Sequence, residues 1–269
     1  MEDHYSAPPT RALTHSHIAE LLNDYSRAST RLLLLDYDGS LVPFASHPSL
    51  AQPGSAVLKT LSLLAADPLN EVYIISGRDA HTLESWFNHV PIGLIAEHGA
   101  LIREKGGRWT TTLQHTADWK PGIERIMHQA VASCAGSFIE QKQFSVAWHY
   151  RNADEASGVA VAKDLLTELT AAAKQSGLSI LPGNKVIEVR VSGIDKGMAT
   201  ARVLQSKSYD FILAIGDDRT DEDMFSRLLQ QPQAYTIKVG AGPSQARYYL
   251  SASEQVVALL NAIGRQEVI

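Results

Sequence analysis

One cysteine in 269 residues, Cys134, excludes an internal disulfide framework and a multi-cysteine zinc site. Its neighbours are small and apolar, which reads as an inert packed thiol. The scarcity of cysteine fits a reducing compartment. Basic excess is missing too. A net charge of -5 and a pI near 6.0 speak against a nucleic-acid-binding face, although they leave room for a local basic pocket that takes a phosphate ester. No apolar run approaches the roughly 20 residues that a bilayer-spanning helix needs. The polar start, Met1 to Thr10 with Pro8-Pro9, is unlike a signal peptide, so the expected location is cytoplasmic. Internal repeats and low-complexity tracts are absent. The ten histidines lack convincing metal-ligand spacing, and His47, His81, His89, His115 and His128 read as ordinary surface residues. What remains is the composition of a soluble globular protein, 45% hydrophobic and 20% charged. The length suits one large domain, or a core plus a smaller module.

The most informative stretch is Asp36-Tyr37-Asp38-Gly39-Ser40, at the end of the leucine run Leu32 to Leu35. Such a run reads as a strand buried on both faces, as in a parallel sheet. Ligands of such sheets bind beyond the carboxyl ends of the strands. Asp36 and Asp38 would then stand at the sheet's mouth, where Gly39 lets the chain turn away. One aspartate can serve as a nucleophile and the other as a proton donor. Clustered carboxylates repel unless a cation or a shared proton compensates them. An EF-hand does not fit, because Gly39 comes too early and no Glu closes the loop.

The rest of the chain alternates strand and helix patterns, which argues for βαβ units. A helix is expected over Ser16–Ser26, a strand over Arg31–Asp36 and a helix over Val57–Ala66. Strand Glu71–Ile75 runs into Ser76-Gly77-Arg78, and Asp79 caps the next helix. Strand Gly93–Ala96 runs into Glu97-His98-Gly99, where His98 reads as a loop-holding residue. The texture then changes. Gly106-Gly107 reads as a hairpin turn between Leu101–Glu104 and Arg108–Leu113. A helix over Pro121–Ala132, strands Phe138–Gln141 and Phe144–Tyr150, and a helix over Glu155–Gln175 follow. Strands Leu178–Leu181 and Lys185–Arg190 flank a turn at Pro182-Gly183-Asn184. The earlier rhythm returns with a helix over Lys196–Gln205 capped by Asp195, strand Phe211–Ile215 leading into Gly216-Asp217-Asp218, a helix over Asp221–Leu228, strand Ala234–Val239 and a helix over Ser253–Ile263. The expected organisation is a core of residues 1–104 and 191–269, with an α+β module of residues 105–190 inserted. A cleft between core and insert is a natural substrate site.

Each polar cluster also has an unremarkable reading. Asp36-x-Asp38 can be a solvated turn, and Ser76-Gly77 a turn. Lys196 can be a surface lysine, and Asp217 to Asp223 a solvated helix start capped by Thr220. Trp86, Phe87, Trp109, Trp119 and Trp148 read as packing. The order of the clusters decides. Asp36/Asp38, Ser76 and Asp217/Asp218/Asp221 each follow a predicted strand, so parallel neighbours would bring them to one sheet edge. Lys196 opens a helix, where positive charge and free N–H groups favour a phosphate. Several carboxylates and one lysine suit Mg2+ and a phosphoryl group.

In this order the clusters resemble the four motifs of the haloacid dehalogenase superfamily of phosphotransferases. The likeness narrows with Ile75-Ser76-Gly77-Arg78, Ala96-Glu97-His98-Gly99-Ala100, Trp148-His149-Tyr150-Arg151-Asn152-Ala153-Asp154, Gly183-Asn184-Lys185-Val186-Ile187-Glu188-Val189-Arg190 and Gly216-Asp217-Asp218-Arg219-Thr220-Asp221-Glu222-Asp223. Together these resemble trehalose-6-phosphate phosphatases, above all the phosphatase halves of fused synthase–phosphatase proteins, over about residues 30–250. Ser40 stands where that family usually has Thr. The resemblance implies an α/β fold, with a Rossmann-like, three-layered parallel core and an inserted cap domain. It implies Mg2+-dependent hydrolysis of trehalose 6-phosphate, with Asp36 as nucleophile and Asp38 as proton donor and later base. Ser76 and Lys196 would hold the phosphoryl oxygens. Asp217 would be the main metal ligand, joined by Asp36 and the Asp38 carbonyl, with Asp218 and Asp221 as further ligands or orienters. Gly77 and Arg78 would meet substrate. In the cap, Glu140, Lys142 and Glu188 would bind sugar hydroxyls, and Arg151 and Lys185 the phosphate or sugar. Glu140 with Lys142, and Glu188 with Arg190, can equally be cross-strand ion pairs. The resemblance leaves room for association with a trehalose-6-phosphate synthase. Two rival readings remain: the same chemistry on sucrose phosphate, a glycosylglycerol phosphate or mannosyl-phosphoglycerate, and a non-catalytic regulatory domain.

Overall fold

The computed structural model describes residues 10–111, 118–174 and 176–266. In chain order they form β1 (Arg11–Ala12), α1 (His15–Arg27), β2 (Arg31–Asp36), α2 (Ser55–Ala66), β3 (Asn70–Ile75), α3 (Ala80–Phe87), β4 (Gly93–Ala96) and β5 (Leu101–Arg103). Then come α4 (Lys120–Ser133), β6 (Phe138–Gln141), β7 (Ser145–His149), α5 (Glu155–Ala173), β8 (Leu178–Gly183) and β9 (Val186–Val191). The chain closes with α6 (Lys196–Ser206), β10 (Phe211–Gly216), α7 (Arg219–Leu228), β11 (Ala234–Val239), β12 (Tyr248–Leu250) and α8 (Ser253–Arg265). The expected ends at Leu113 and Gln175, and His115, lie outside the described residues.

Two compact units result: Met1–Thr111 with Asp195–Ile269, and Thr112–Ile194. Both seams fall later than the sequence boundaries at 104 and 190. Ile102 and Thr110 exchange backbone hydrogen bonds of 2.9 and 2.8 Å, which keep the returning arm of the Gly106-Gly107 turn in the first unit. At the other seam β9 runs to Val191, and the Ser192 N–H still reaches the Gly177 carbonyl at 2.8 Å.

The first unit is built on a sheet of order β1-β12-β11-β10-β2-β3-β4-β5, in which β4–β5 alone is antiparallel. Leu32, Leu33, Leu34 and Leu35 are wholly buried, as a strand covered on both faces requires. Alternation sends Leu32, Leu34, Ile212 and Ala214 to the face that holds Ala199 and Val203 of α6 and Met224, Phe225 and Leu228 of α7. Leu33, Leu35, Leu213 and Ile215 point the other way and are equally buried. Each such side chain contributes roughly 1.5–3 kcal/mol on burial. The chain proceeds outward from β2 through β3 and β4, then returns to β10 on the other flank of β2 and proceeds outward again. Strand order therefore reverses between β2 and β10, the place where such sheets open a crevice. The short strands β1 and β12, the outermost two on one side of the sheet, were not foreseen, because two or three residues carry no readable period.

The second unit is an antiparallel sheet of order β6-β7-β9-β8. Val146, Trp148, Ile187 and Val189 on one face pack with Ile123 and Met127 of α4 and Leu165 and Leu169 of α5. Alternation sends Glu140, Ala147, His149, Glu188 and Arg190 to the opposite face. The β8–β9 turn is tighter than expected. Gly183 pairs with Val186, so only Asn184 and Lys185 turn, with Lys185 at φ 59°. Among the described residues no helix is long and apolar enough to cross a membrane.

Leu34→Ala is expected to destabilise the first unit by about 3 kcal/mol, since the site lies between two packed strands and cannot collapse freely. Denaturant unfolding checks this through a lower midpoint.

Candidate active site

Parallel registry sets the geometry. Asp36 ends β2 and pairs with Ile75 of β3, so Ser76 follows at the same edge. Leu35 pairs with Ile215 of β10, so Asp217 emerges there as well. The three strand-end clusters converge as the sequence suggested. Lys196 is the first residue of α6, whose cap Asp195 accepts the Met198 N–H at 2.7 Å.

Lys196 joins the halves. Its ammonium, 2% exposed, donates to Asp36 Oδ1 at 2.6 Å and to Asp221 Oδ1 at 2.7 Å. Burial would lower the Lys196 pKa, but the charges of Asp221, Asp36 and Asp218 outweigh it and hold the group firmly protonated. Asp221 spends its other oxygen on the backbone N–H groups of Asp217 and Asp218, at 2.9 and 3.0 Å. Asp221 is therefore an orienter of the loop. Asp218 Oδ1 accepts from the Thr220 N–H and hydroxyl at 2.7 and 2.6 Å, which makes Asp218, and not Thr220, the cap of α7. Burial pushes Asp218 up, yet Lys196 and the Thr220 hydrogen bonds bring it below the usual range.

The carboxylates outnumber the cation. Burial pushes Asp36 up to about 8, Lys196 pulling down and Asp217 and Asp218 pushing further up. Burial, with Asp218 and Asp221, pushes Asp217 up to about 7. Asp36, Asp217 and Asp221 each offer an oxygen within 4.8 Å of the others. Asp36 Oδ2 is buried and meets no hydrogen-bond donor. A Cβ at Gly39 would lie 2.3 Å from Asp217 Oδ2, and Gly39 sits at φ 86°. An excess of buried carboxylate, an oxygen lacking a donor and backbone pressed against Asp217 fit a small divalent cation.

Asp38 faces a different partner. Arg78 Nε and Nη2 grip its two oxygens at 2.7 and 2.6 Å, while Nη1 donates to the Pro48 carbonyl at 2.8 Å. The guanidinium also lies 4.5 Å over the Trp86 ring. Trp86 is thus a platform for Arg78 as well as a packing residue, and Arg78 is engaged by Asp38 here. Ser76 Oγ accepts the Arg78 N–H at 3.2 Å. A Cβ on Gly77 would come 2.5 Å from the His98 ring. His98 sits at φ 57° and its N–H reaches the Ser76 carbonyl at 2.9 Å, so it holds the loop, as expected.

In the second unit Lys142 Nζ meets Glu188 at 2.9 Å and Glu140 at 3.8 Å, so Glu188 has Lys142 as an ion partner. Arg151 donates to the Asn184 carbonyl at 2.8 Å and Lys185 pairs with Glu155 at 3.2 Å, both at the β8–β9 turn. Two contributors escaped the sequence reading. Lys238 of β11 donates to the Asp217 carbonyl, and a lysine in the otherwise apolar strand Ala234–Val239 was its available signal. His149 binds Glu140 at 2.8 Å.

Residues 34–254 match the family model described as trehalose-phosphatase. A bifunctional trehalose-6-phosphate synthase/phosphatase of Thermoproteus tenax is 41% identical over 94% of this chain and 34% of its own length. An alpha,alpha-trehalose-phosphate synthase of Dictyostelium discoideum is 40% identical over 94% of this chain and 32% of its own length. The chain thus spans about a third of these curated relatives. The C-terminal domain of Candida albicans trehalose-6-phosphate phosphatase superposes with TM-score 0.90 at 30% identity, covering 95% of this chain and 99% of that one.

Lys196→Met leaves Asp36 and Asp221 buried without their cation, with an expected loss of about 3–5 kcal/mol in chemical denaturation. Glu140 gives a pH prediction. Burial pushes its carboxyl up, but Lys142 and the hydrogen bond and charge of His149 bring it from 4.5 to about 2. A depressed folded pKa stabilises fully above the unfolded value and is lost as pH falls through the folded one. Between pH about 4.5 and about 2 the wild type should therefore lose more stability than Glu140→Gln, measured by urea unfolding at several pH values.

Proposed function

We propose, from the premise that this chain belongs to the trehalose-phosphatase family, that it hydrolyses trehalose 6-phosphate to trehalose and phosphate, as a step of trehalose biosynthesis. The observation that carries this reading is Asp36: one oxygen held at 2.6 Å by Lys196, the other buried and without a donor, at the strand end where strand order reverses. A carboxylate so held is presented as a nucleophile. The names of the Thermoproteus and Candida relatives supply the substrate.

In this reading an Asp36 oxygen attacks phosphorus, and the bond from phosphorus to the sugar oxygen breaks. Asp38 gives its proton to that oxygen. Because Asp38 rests on Arg78 here, it must exchange that pair for the leaving group. Water then attacks the aspartyl-phosphate, passes a proton to Asp38 and restores Asp36. Lys196 and Ser76 hold phosphoryl oxygens and balance their charge. Asp36, Asp217 and the Asp38 carbonyl would hold Mg2+, with Asp221 and Asp218 fixing the loop. When bound, that ion offsets the negative charge that otherwise opposes a phosphate. Gly77 keeps the phosphate turn slim. Glu140, Lys142 and Glu188 take sugar hydroxyls, and Arg151 and Lys185 supply positive charge beside them. We assign the inserted segment, expected over 105–190 and found as the unit Thr112–Ile194, the role of a specificity cap on this basis, and place the protein in the cytoplasm. The Thermoproteus relative carries both activities in its name, which supports a trehalose-6-phosphate synthase as partner.

Phosphate release from a panel of sugar phosphates, with Mg2+ or with EDTA, tests this. Release from trehalose 6-phosphate that EDTA abolishes is expected. Release from another sugar alone would keep the core chemistry and remove the sugar assignment, and silence on every substrate would favour a regulatory domain. Asp36→Asn is expected to lower turnover by at least about three orders of magnitude with the fold intact by circular dichroism.

A further inference from the structure

The sheet face of the second unit opposite α4 and α5 carries a chain of alternating acidic and basic side chains. Glu188 meets Lys142 at 2.9 Å, Lys142 meets Glu140 at 3.8 Å, and Glu140 Oε2 meets His149 Nε2 at 2.8 Å. The last link is built with care. Phe138 and His149 pair across β6 and β7, and their rings stack at 4.8 Å with planes 13° apart. That stacking fixes the imidazole plane, and so the direction of Nε2. Glu140 lies two residues along β6 from Phe138, on the same side, where the ring nitrogen reaches it. Both contacts to Glu140 fall on one oxygen, Oε2, which leaves Oε1 for a ligand.

We propose that His149 is a positioning residue for sugar recognition: it locks one oxygen of Glu140 so that the other is presented to a substrate hydroxyl. This rests on the functional reading above, in which Glu140 binds the sugar. A carboxylate held by Lys142 alone, at 3.8 Å, would be free to rotate about its last torsion. Held by a second donor in a plane fixed by Phe138, it reads hydroxyl geometry without first being ordered by the ligand. His149 touches no reacting group in this scheme. Its loss should raise KM and leave kcat unchanged, whereas general damage to the fold would lower kcat.

The experiment compares wild type, His149→Ala, His149→Gln, Glu140→Gln and the double variant His149→Ala/Glu140→Gln in steady-state hydrolysis of trehalose 6-phosphate. Thermal melting of the same samples monitors the fold. For His149→Ala we expect KM to rise about tenfold, about 1.4 kcal/mol of binding, with kcat within twofold. His149→Gln, which keeps a donor, should recover most of that loss. In the double variant the His149 change should add little to Glu140→Gln, because the lock then has nothing to hold. An unchanged KM in His149→Ala, an equal fall in kcat, no rescue by Gln or full additivity in the double variant would overturn the positioning role while leaving the phosphatase reading intact. A wild type that does not hydrolyse trehalose 6-phosphate would overturn the functional reading itself, and the role of His149 with it.

Discussion

The buried ammonium of Lys196 makes the contacts on which the candidate site depends. It bonds Asp36 from β2 and Asp221 from α7, and so ties together the two flanks of the place where strand order reverses. Two buried carboxylates sharing one lysine are stable only if both contacts are short and the remaining oxygens find partners. Asp221 meets that condition with two backbone N–H groups. Asp36 does not, since Oδ2 has no donor. The asymmetry separates the two residues chemically. One carboxylate has both oxygens hydrogen-bonded and orients the Asp217–Asp218 loop, while the other keeps an oxygen for a ligand.

Charge is balanced at a second level by residues outside the Asp36–Lys196–Asp221 contacts. Arg78 neutralises Asp38 and Lys238 braces the Asp217 carbonyl, so each acidic loop has a basic partner of its own. Strain is localised in the same region. Glu97 and His98 hold φ values of 46° and 57°, unusual for residues with side chains. Hydrogen bonds from their N–H groups to the Arg78 and Ser76 carbonyls, both 2.9 Å, offset that cost. The loop after β4 thereby stiffens the turn after β3.

Much of this could be read from the residues alone, for physical reasons. The leucine run announced a strand buried on both faces, and Asp79 and Asp195 sit where a helix needs an acceptor, so those elements and caps appear as expected. The converging strand ends followed from parallel order. Side-chain pairing across the fold could not be read. The Asp38–Arg78 grip joins residues 40 positions apart, and the choice of Asp218 over Thr220 as cap depends on which residue leaves helical geometry. His149 was hidden because a histidine inside an apolar strand looks the same whether or not a carboxylate waits across the ladder. The domain seams moved because Ile102 and Thr110 pair back onto the first sheet, a tertiary choice that the Gly106-Gly107 turn permits but does not dictate.

The adjacency of β2 and β10 also bears on how the molecule comes into being. Arg31 lies beside Phe211 in the sheet, although most of the chain separates them in sequence. During synthesis the segment Thr112–Ile194 emerges as one continuous piece, and its strands pair with near neighbours. Local contacts of that kind close quickly, whereas bringing distant strands together carries a larger loop entropy. The second unit is therefore able to mature while β2 still waits for its partner. Throughout that interval one edge of the leucine strand lacks its hydrogen-bonding neighbour, exposed to the pairing errors that threaten any apolar edge. Arrival of β10 covers that edge and delivers Asp217 to Asp36, so the candidate site is assembled at the same step that shields the leucine strand.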